Sequence, residues 1–451
     1  MVAEFFQREA GELARACHAM ARAFARGGTL IPFGSGAAAT DAAHAAVEFL
    51  HPVIVGKRAL PAIAPSNDVT RASTLSRLAD ADDIALAISH GETDPLTVRF
   101  LESARARGLL TIAMCSGSAE PLPGLGGPLE TGGDRYPSGG DGYRFQVPSD
   151  DPVIVQEVQE TSYHVLWELV HVFFEQPGLV DEACITCGDV AVEARVAEIQ
   201  GPMAVIERDG AFEQVAVDLV EGVQVGDTVL CHAGAAIEKV ESDPTDFLYP
   251  FQSSATEPDL DSVLRDVEAS TLEKAGEVTA LRSAIDTGQV ARTAAVLRER
   301  LDAGGRLLAF GNGGSATDAQ DIATDALARG WPAIALNDDA ATVTAVANDV
   351  GFEQAFSRQL IALGRPGDIA VAISTSGGSP NVIAAVEEAH RRGMTTVALA
   401  GYEGGRLAAL DALDHLFVVP SDDIPRIQEA QATIYHLLLE AIGDRGGPPG
   451  A

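Results

Sequence analysis

Hydroxyl-bearing residues and glycines gather in one loop near the end of the chain, Ser374-Thr375-Ser376-Gly377-Gly378-Ser379-Pro380-Asn381. The loop follows an apolar, strand-like segment and precedes a helical one, whose N-terminus offers unpaired N–H groups and the positive end of the helix dipole. Such a loop can hold a phosphate without a lysine. It could also serve only to cap the helix. A second glycine-rich turn, Gly311-Asn312-Gly313-Gly314-Ser315, favours the phosphate site.

The chain contains one domain twice. Three blocks recur in the same order, which indicates a duplication: Ile31–His44 matches Leu308–Asp321, Ala87–Pro95 matches Ala372–Pro380, and Asp150–His164 matches Asp422–His436. In the first copy the loop that corresponds to Ser374–Ser379 is Ser89-His90-Gly91-Glu92-Thr93-Asp94, which has gained two carboxylates. These would repel a phosphate dianion, so we expect phosphate to bind in the second copy.

The elements that position these loops alternate between short apolar strands and helices. In the second copy the pattern predicts strands at 306–310, 332–336, 368–374, 395–400 and 415–420, and helices at 316–329, 381–392 and 425–442. Continuous apolar strands separated by helices indicate a parallel sheet buried on both faces. We therefore expect each copy to be an α/β domain with a doubly wound parallel sheet and its ligand at the carboxyl ends of the strands.

The segment between the copies has another pattern. Short β-like runs at 191–198, 203–208, 214–218 and 228–232, broken by Gly, Asp and Glu, predict a small, OB-like β-barrel at 184–241. Residues 242–261 are rich in Pro, Ser, Asp and Thr and are expected to be a linker. The first copy is then residues 1–180 and the second copy residues 262–445.

Both copies resemble sugar isomerase (SIS) domains, which bind phosphorylated sugars. The second copy, from Gly311–Ser315 through Ser374–Ser379 to Arg426-Ile427-Gln428-Glu429, is most similar to phosphoheptose isomerases, which act on sedoheptulose 7-phosphate. That subgroup also includes non-catalytic regulators that bind a replication initiator protein. The resemblance covers Glu4–Gln176 and Leu264–Asp444, and it implies a homo-oligomer with sites at subunit contacts.

The resemblance also implies a zinc site. In the family, a His and a Glu one helical turn apart, and a Gln and a His two turns apart on the last helix, surround the metal. The Glu and the second His are proposed to move protons. The matching residues in the first copy are His44, Glu48, Gln156 and His164, and in the second copy Asp321, Asp325, Gln428 and His436. The expected catalytic residues are therefore Glu48 and His164, or Asp325 and His436, although the two aspartates depart from the family pattern and suit a harder metal.

The first copy thus keeps the metal-binding residues, and the second keeps the phosphate loop. We expect a composite site in which His44 and Glu48 approach a sugar phosphate held by Ser374–Ser379, and in which an aldose and a ketose interconvert. Two alternatives remain open. The histidines could be inter-helix residues retained by descent, and both copies could be binding modules without turnover.

The middle segment resembles HupF/HypC hydrogenase maturation chaperones, through Cys184, the block Asp218-Leu219-Val220 and the turn His232-Ala233-Gly234. The opening cysteine of that family helps to carry iron destined for nickel–iron hydrogenase. The resemblance implies that Cys184 and His232 carry iron and that hydrogenase maturation proteins are partners. A thiolate is a suitable ligand for such iron. Cys184 is internal, so it lacks the adjacent free α-amino group of the family.

Composition excludes several other classes of function. The 451 residues carry a formal net charge of −34, which disfavours binding to nucleic acid or to an anionic membrane. No run of about 18 apolar residues predicts a membrane span. Five cysteines do not form a disulfide framework, so we expect a reducing cytoplasm. The remaining candidates are a sugar-phosphate isomerase linked to hydrogenase maturation and a non-catalytic sensor or scaffold that binds a protein partner.

Overall fold

The computed structural model describes residues 1–52, 57–64, 79–91, 94–117, 142–176, 179–180, 192–200, 203–208, 211–217, 223–232, 235–240 and 259–445. The predicted iron carrier Cys184, the carboxylate Glu92 and nearly all of the predicted linker lie outside these ranges. None of the helices in the described ranges combines the length and the apolar character that a bilayer crossing requires.

The first copy alternates helices and strands around one parallel sheet. Its elements are α1 (Val2–Ala25), β1 (Leu30–Gly34), α2 (Ala38–Leu50), β2 (Ile84–Ile88), α3 (Pro95–Ala106), β3 (Leu110–Cys115), β4 (Tyr143–Gln146) and α4 (Pro152–Phe174). The strands pair in parallel in the order β1-β2-β3-β4. Every residue of β1 and β2 is buried, because helices cover both faces of the sheet.

The second copy repeats this plan. Its elements are α5 (Leu260–Ser283), α6 (Thr287–Asp302), β10 (Leu307–Phe310), α7 (Gly314–Ala328), β11 (Ala333–Ala335), α8 (Ala340–Asp349), α9 (Ala355–Leu363), β12 (Ile369–Ser374), α10 (Pro380–Arg391), β13 (Thr395–Gly401), β14 (His415–Val419) and α11 (Ile424–Ile442). The parallel sheet has the order β11-β10-β12-β13-β14. Successive residues point to opposite faces, so Leu307 and Leu308 join two different apolar clusters.

Between the copies lie β5 (Val192–Gln200), β6 (Met203–Arg208), β7 (Ala211–Ala216), β8 (Thr228–His232) and β9 (Ala235–Val240). Their pairing order is β5-β6-β7-β9-β8, and β8 pairs again with β5. The run predicted at 214–218 begins earlier than expected, and β9 was not predicted. Both differences arise because strand pairing, rather than the pattern of apolar residues alone, sets where a strand starts and ends.

The expectation of α/β domains with parallel sheets is confirmed. Each strand and helix predicted in the second copy is present, with its ends shifted by a few residues at most. Long, strongly apolar segments gave a clear pattern because both faces of these strands are buried.

The copies pack against each other through α2 and α4 on one side and α7 and α11 on the other. Contacts between α4 and α11 run in opposite directions along the two helices: Glu157 meets His436, whereas His164 meets Glu429. The two helices are therefore antiparallel. In addition, Val263 and Val267 of α5 join the apolar core of the first copy, so the two copies share packing.

Candidate functional site between the two copies

Two loops of the second copy meet where its strand order reverses. Gly311–Ser315 follows β10 and Ser374–Ser379 follows β12, and these neighbouring strands lead to helices on opposite sides of the sheet. This is where ligands bind in open α/β sheets. The side chains of Asn312 and Asn381 exchange two hydrogen bonds of 2.9 and 2.8 Å, which fasten the two loops together.

The hydroxyl-rich loop leaves its helix N-terminus uncapped. Ser379 is the N-cap residue of α10, but its side chain makes no capping hydrogen bond; its hydroxyl instead lies 3.1 Å from that of Ser374. Gly377 has a φ of +61°, and a Cβ there would collide with the backbone of Gly404, so the turn requires glycine. Pro380 carries no N–H and the N–H of Val382 donates to the Asn381 side chain, so the hydroxyls are the main groups that this loop offers to an anion.

The corresponding loop of the first copy is satisfied by its own side chains. Asp94, which occupies the position of Ser379, caps α3 by accepting from the backbone N–H groups of Leu96 and Thr97, and also accepts from the hydroxyl of Ser35. These contacts outweigh the effect of burial and lower the pKa of Asp94. A carboxylate therefore stands where a phosphate would bind.

A buried polar cluster forms where α2 and α4 of the first copy meet the second copy. We call it the histidine site and define it as His44, Glu48, His164 and Gln428. The His44 Nε2 lies 3.6 Å from Glu48 Oε1 and 3.1 Å from the amide nitrogen of Gln428. One ligand atom each of His44, Glu48 and His164 lies within 4.8 Å of the others, and all three side chains are buried. One chain thus builds the cluster from both copies.

The glycine-rich turn of the second copy closes over this cluster. A Cβ at Gly314 would stand 2.5 Å from His44 Nε2 and 3.2 Å from Glu48 Oε1, and still closer to the amide of Gln428. Only glycine fits at this point. The matching residue in the first copy is Ala37, which carries the methyl group that Gly314 lacks.

Three atoms of the histidine site have no hydrogen-bond partner among the described residues: Glu48 Oε2, His164 Nε2 and Gln428 Oε1. All three can donate an electron pair, and leaving buried polar atoms unpaired is costly. Imidazole nitrogen, carboxylate and amide oxygen together suit a zinc ion. The residues present therefore fit the metal that the family resemblance implies.

Without a metal ion, the electrostatics of the site favour a charged His44–Glu48 pair beside a neutral His164. Burial opposes a charged His44, but its hydrogen bond with Glu48 and the charges of Asp318 and Glu48 raise its pKa, and the same contact holds the pKa of Glu48 low despite burial. Burial, together with the charge of His44, lowers the pKa of His164 well below its usual value. His164 Nδ1 lies 2.9 Å from Glu429, so the neutral ring donates there and presents the lone pair of Nε2 to the site.

A second cluster is related to the first by an approximate twofold axis. We call it the aspartate site and define it as Asp321, Asp325, His436 and Gln156. Gln156 donates to Asp321, as Gln428 approaches His44, and the Asp325 carboxylate lies 3.9 Å from His436 Nε2. Both oxygens of Asp321 are occupied, because Thr40 donates to one at 3.1 Å and Tyr435 to the other at 2.9 Å.

This grouping differs from the sequence expectation in one respect. Gln156 was expected beside His44 and Gln428 beside Asp321, but the two glutamines are exchanged between the clusters. The exchange follows from the antiparallel packing of α4 and α11, which sets the N-terminal end of each helix against the other copy. Glu429 and Glu157, which orient the two histidines, were not anticipated as site residues; each directly follows a predicted glutamine, which is the signal that could have found them.

The candidate iron site is not located by the structure. Cys184 lies outside the described residues, and His232 is known only as the last residue of β8.

Comparisons with known proteins show which families the chain resembles. The SIS domain family matches residues 1–116 and 275–401, which is more than half of the chain, and the HupF/HypC family matches residues 190–246. A phosphoheptose isomerase of Thermodesulfovibrio yellowstonii is 45% identical over 161 residues, covering 34% of this chain and 79% of that protein. A phosphoheptose isomerase of Thiobacillus denitrificans is 42% identical over 189 residues, covering 40% of this chain and 93% of that protein.

Among solved structures, a phosphoheptose isomerase of Neisseria gonorrhoeae is 39% identical, covers 40% of this chain and 98% of its own, and has a TM-score of 0.38. The resemblances to SIS domains, to phosphoheptose isomerases and to the HupF/HypC family are thereby confirmed. The chain belongs to the SIS-domain family, with an SIS region at each end and a HupF/HypC segment between them.

Proposed function

We propose that this chain is a sugar-phosphate isomerase with one working site, the histidine site, formed between its two copies. The observation that carries the proposal is the convergence of three unpartnered atoms, on Glu48, His164 and Gln428, beside the Gly314 turn. The positions at which the two copies differ are far apart in the sequence but are grouped in the folded chain. His44 and Glu48 lie against the Gly314 turn of the second copy, which the Asn312–Asn381 pair joins to the hydroxyl-rich loop, while the aspartate site combines altered metal residues with the copy whose loop is capped by Asp94.

The substrate would be a phosphorylated sugar such as sedoheptulose 7-phosphate, because the identified relatives are phosphoheptose isomerases. Its phosphate would lie at the uncapped N-terminus of α10, among the hydroxyls of Ser374, Thr375, Ser376 and Ser379. The Asn312–Asn381 hydrogen bonds would hold the loop that carries Gly311, Gly313 and Ser315 beside it. The carbonyl end would then reach the histidine site past Gly314.

The proton transfers would fall to two residues. Glu48 is ionised because its pKa is lowered, so it can take a proton from the carbon next to the carbonyl. Neutral His164, held by Glu429, presents Nε2 either as a metal ligand or as a second proton carrier. A zinc ion held by His44, Glu48, His164 and Gln428 would polarise the sugar carbonyl.

The direct test follows the conversion of sedoheptulose 7-phosphate by NMR, with zinc and after its removal by a chelator. We expect turnover that depends on zinc, loss of turnover in His44→Ala, and turnover close to wild type in the matched variant Asp321→Ala. If neither turnover nor sugar-phosphate binding is detected, the isomerase proposal fails. Binding without turnover would instead support a non-catalytic sensor or scaffold.

Within one chain the two copies already form the kind of contact at which family sites are expected. A homo-oligomer is therefore not needed to complete the histidine site. Measuring the activity and the mass of the chain at several dilutions separates the two cases, because a site within one chain keeps its activity on dilution.

A second function is favoured by the HupF/HypC match at residues 190–246. The strand order that returns from β8 to β5 supports a small barrel of OB type, as the sequence pattern predicts. We infer a role in hydrogenase maturation, with maturation proteins as partners and with iron at Cys184 and His232. The matched range begins after Cys184, so the family match does not include this cysteine. The variant Cys184→Ala tests its role in carrying iron directly. Iron binding and hydrogenase activation that equal those of wild type would count against the role.

A further inference from the structure

A small, partly open cavity lies between the copies, beside the histidine site. It has a volume of about 10 Å³, room for about one water-sized sphere. Paired residues of α2 and α7 and of α4 and α11 line it: Thr40 and Thr317, Asp41 and Asp318, His44 and Asp321, and Tyr163 and Tyr435, together with Gln156 and Glu160.

Four of the lining residues are carboxylates with at most 5% of their surface exposed: Asp41, Glu160, Asp318 and Asp321. Two have polar partners, since His90 lies 2.8 Å from Asp41 and Tyr435 donates to Asp321. Asp318 Oδ2 and Glu160 Oε1 have no hydrogen-bond partner among the described residues. A charged carboxylate buried without a partner is costly, so these two groups either keep a proton or bind a cation.

The two carboxylates with unpaired oxygens lie close enough to each other to share one cation. Ligand atoms of Glu160, Asp318 and His44 lie within 4.8 Å of one another. His44 turns Nε2 towards Glu48 and Gln428, and its Nδ1 lies 3.1 Å from the hydroxyl of Tyr163, which lines the cavity. With Nε2 used in the histidine site, the cavity would offer mainly oxygen ligands. Oxygen-rich sites select hard divalent cations such as Mg²⁺ and Mn²⁺.

We propose that this cavity binds a second divalent cation, of the Mg²⁺ or Mn²⁺ class, held by the carboxylates of Glu160 and Asp318. The ion would join α4 of the first copy to α7 of the second, and so would strengthen the contact on which the histidine site depends. The corresponding position in the second copy is Ala432, so Glu160 supplies a ligand that the duplication does not repeat.

The test uses Mn²⁺ on the full chain, stripped with a chelator and reloaded with one equivalent of Zn²⁺. Electron paramagnetic resonance of free Mn²⁺ counts the bound ions. We expect about one Mn²⁺ per chain in wild type, and a dissociation constant at least about tenfold higher in Glu160→Gln and Asp318→Asn. The matched control Glu387→Gln changes an exposed acidic residue of α10 that does not line the cavity, and should bind Mn²⁺ like wild type.

The shift of Tm on addition of Mn²⁺ gives a second measure of binding, which does not depend on how well the Glu160 and Asp318 variants fold. Mn²⁺ should raise the Tm of the wild type and of Glu48→Gln, which alters the histidine site but keeps the cavity. Two results would overturn the proposal: a zinc-loaded wild type that binds no Mn²⁺, or a Glu160→Gln variant that binds it as tightly as wild type. Because the readout is Mn²⁺ binding, failure of the isomerase proposal would not affect it.

Discussion

Replacing Gly314 with alanine should close the histidine site. The new Cβ would stand 2.5 Å from His44 Nε2 and 3.2 Å from Glu48 Oε1, and closer still to the amide of Gln428. These three side chains are at most 3% exposed, so none can move into solvent. Either they or the turn must shift.

Overpacking of this kind costs about 1–3 kcal/mol, which is about fivefold to about 150-fold in an equilibrium constant. If the site rather than the fold takes up the strain, zinc affinity and turnover should fall by a factor in that range. Zinc titration and sedoheptulose 7-phosphate turnover, measured on the same preparation with a denaturation curve, separate the two cases.

The duplication provides a matched control. Ala37→Gly removes the corresponding methyl group in the first copy, beside the loop that Asp94 fills, and should leave turnover unchanged. Gly276→Ala is a second control, because a Cβ at this position of α5 would meet no atom within 4 Å. If Gly314→Ala keeps both zinc affinity and turnover within about twofold of wild type, the placement of the site beneath this turn is wrong.

Three further results are expected. Gln428→Ala should lower zinc affinity about tenfold to about 100-fold, whereas Gln156→Ala should leave it unchanged, and calorimetric titration of both checks the exchange of glutamines. Asp318→Asn should stabilise the metal-free chain at pH 8 but have little effect near pH 4. Burial raises the pKa of Asp318 from 3.8 to about 7. As the pH rises between these two values, the charge on the folded chain's Asp318 therefore lowers stability by at most about 4 kcal/mol, and the asparagine variant avoids this loss. Thermal unfolding in chelator at both pH values measures this, and an equal shift at pH 4 and pH 8 would contradict it. Arg426→Met should destabilise the chain by about 3–5 kcal/mol in chemical denaturation, because Arg426 is 1% exposed and pairs with the buried carboxylates of Glu168 and Glu429. A loss below about 1 kcal/mol would show that the two carboxylates do not depend on Arg426 for their stabilisation.

Much of the fold could be predicted because its signals are local. The parallel strands β10, β12 and β13 are continuous apolar runs, and burial on both faces requires such runs. The loop Ser374–Ser379 could be identified as a candidate phosphate site from its hydroxyls, its glycines and its position before a helix. The sequence also indicated that the corresponding loop of the first copy differs, since it has the carboxylate of Asp94 where the second copy has Ser379.

Other parts of the site depend on contacts between segments far apart in the chain. Gln428 lies 384 residues from its partner His44, and no local pattern indicates which copy supplies that amide. Glu160 looks like an ordinary helix residue until α4 packs against the second copy and buries it. The orientation of His164 likewise depends on Glu429, which is 265 residues away.

The sequence by itself determined the duplication, the parallel α/β plan of each copy, and which of the residues expected to bind metal and phosphate each copy retains. These are properties of short segments and of residue types. Only the tertiary structure decided that His44 and Glu48 lie against the Gly314 turn of the other copy, that the glutamines are exchanged, and that a carboxylate-lined cavity lies between the copies. The physical reason is the antiparallel packing of α4 against α11, which sets each glutamine beside the opposite copy and assembles the histidine site from both.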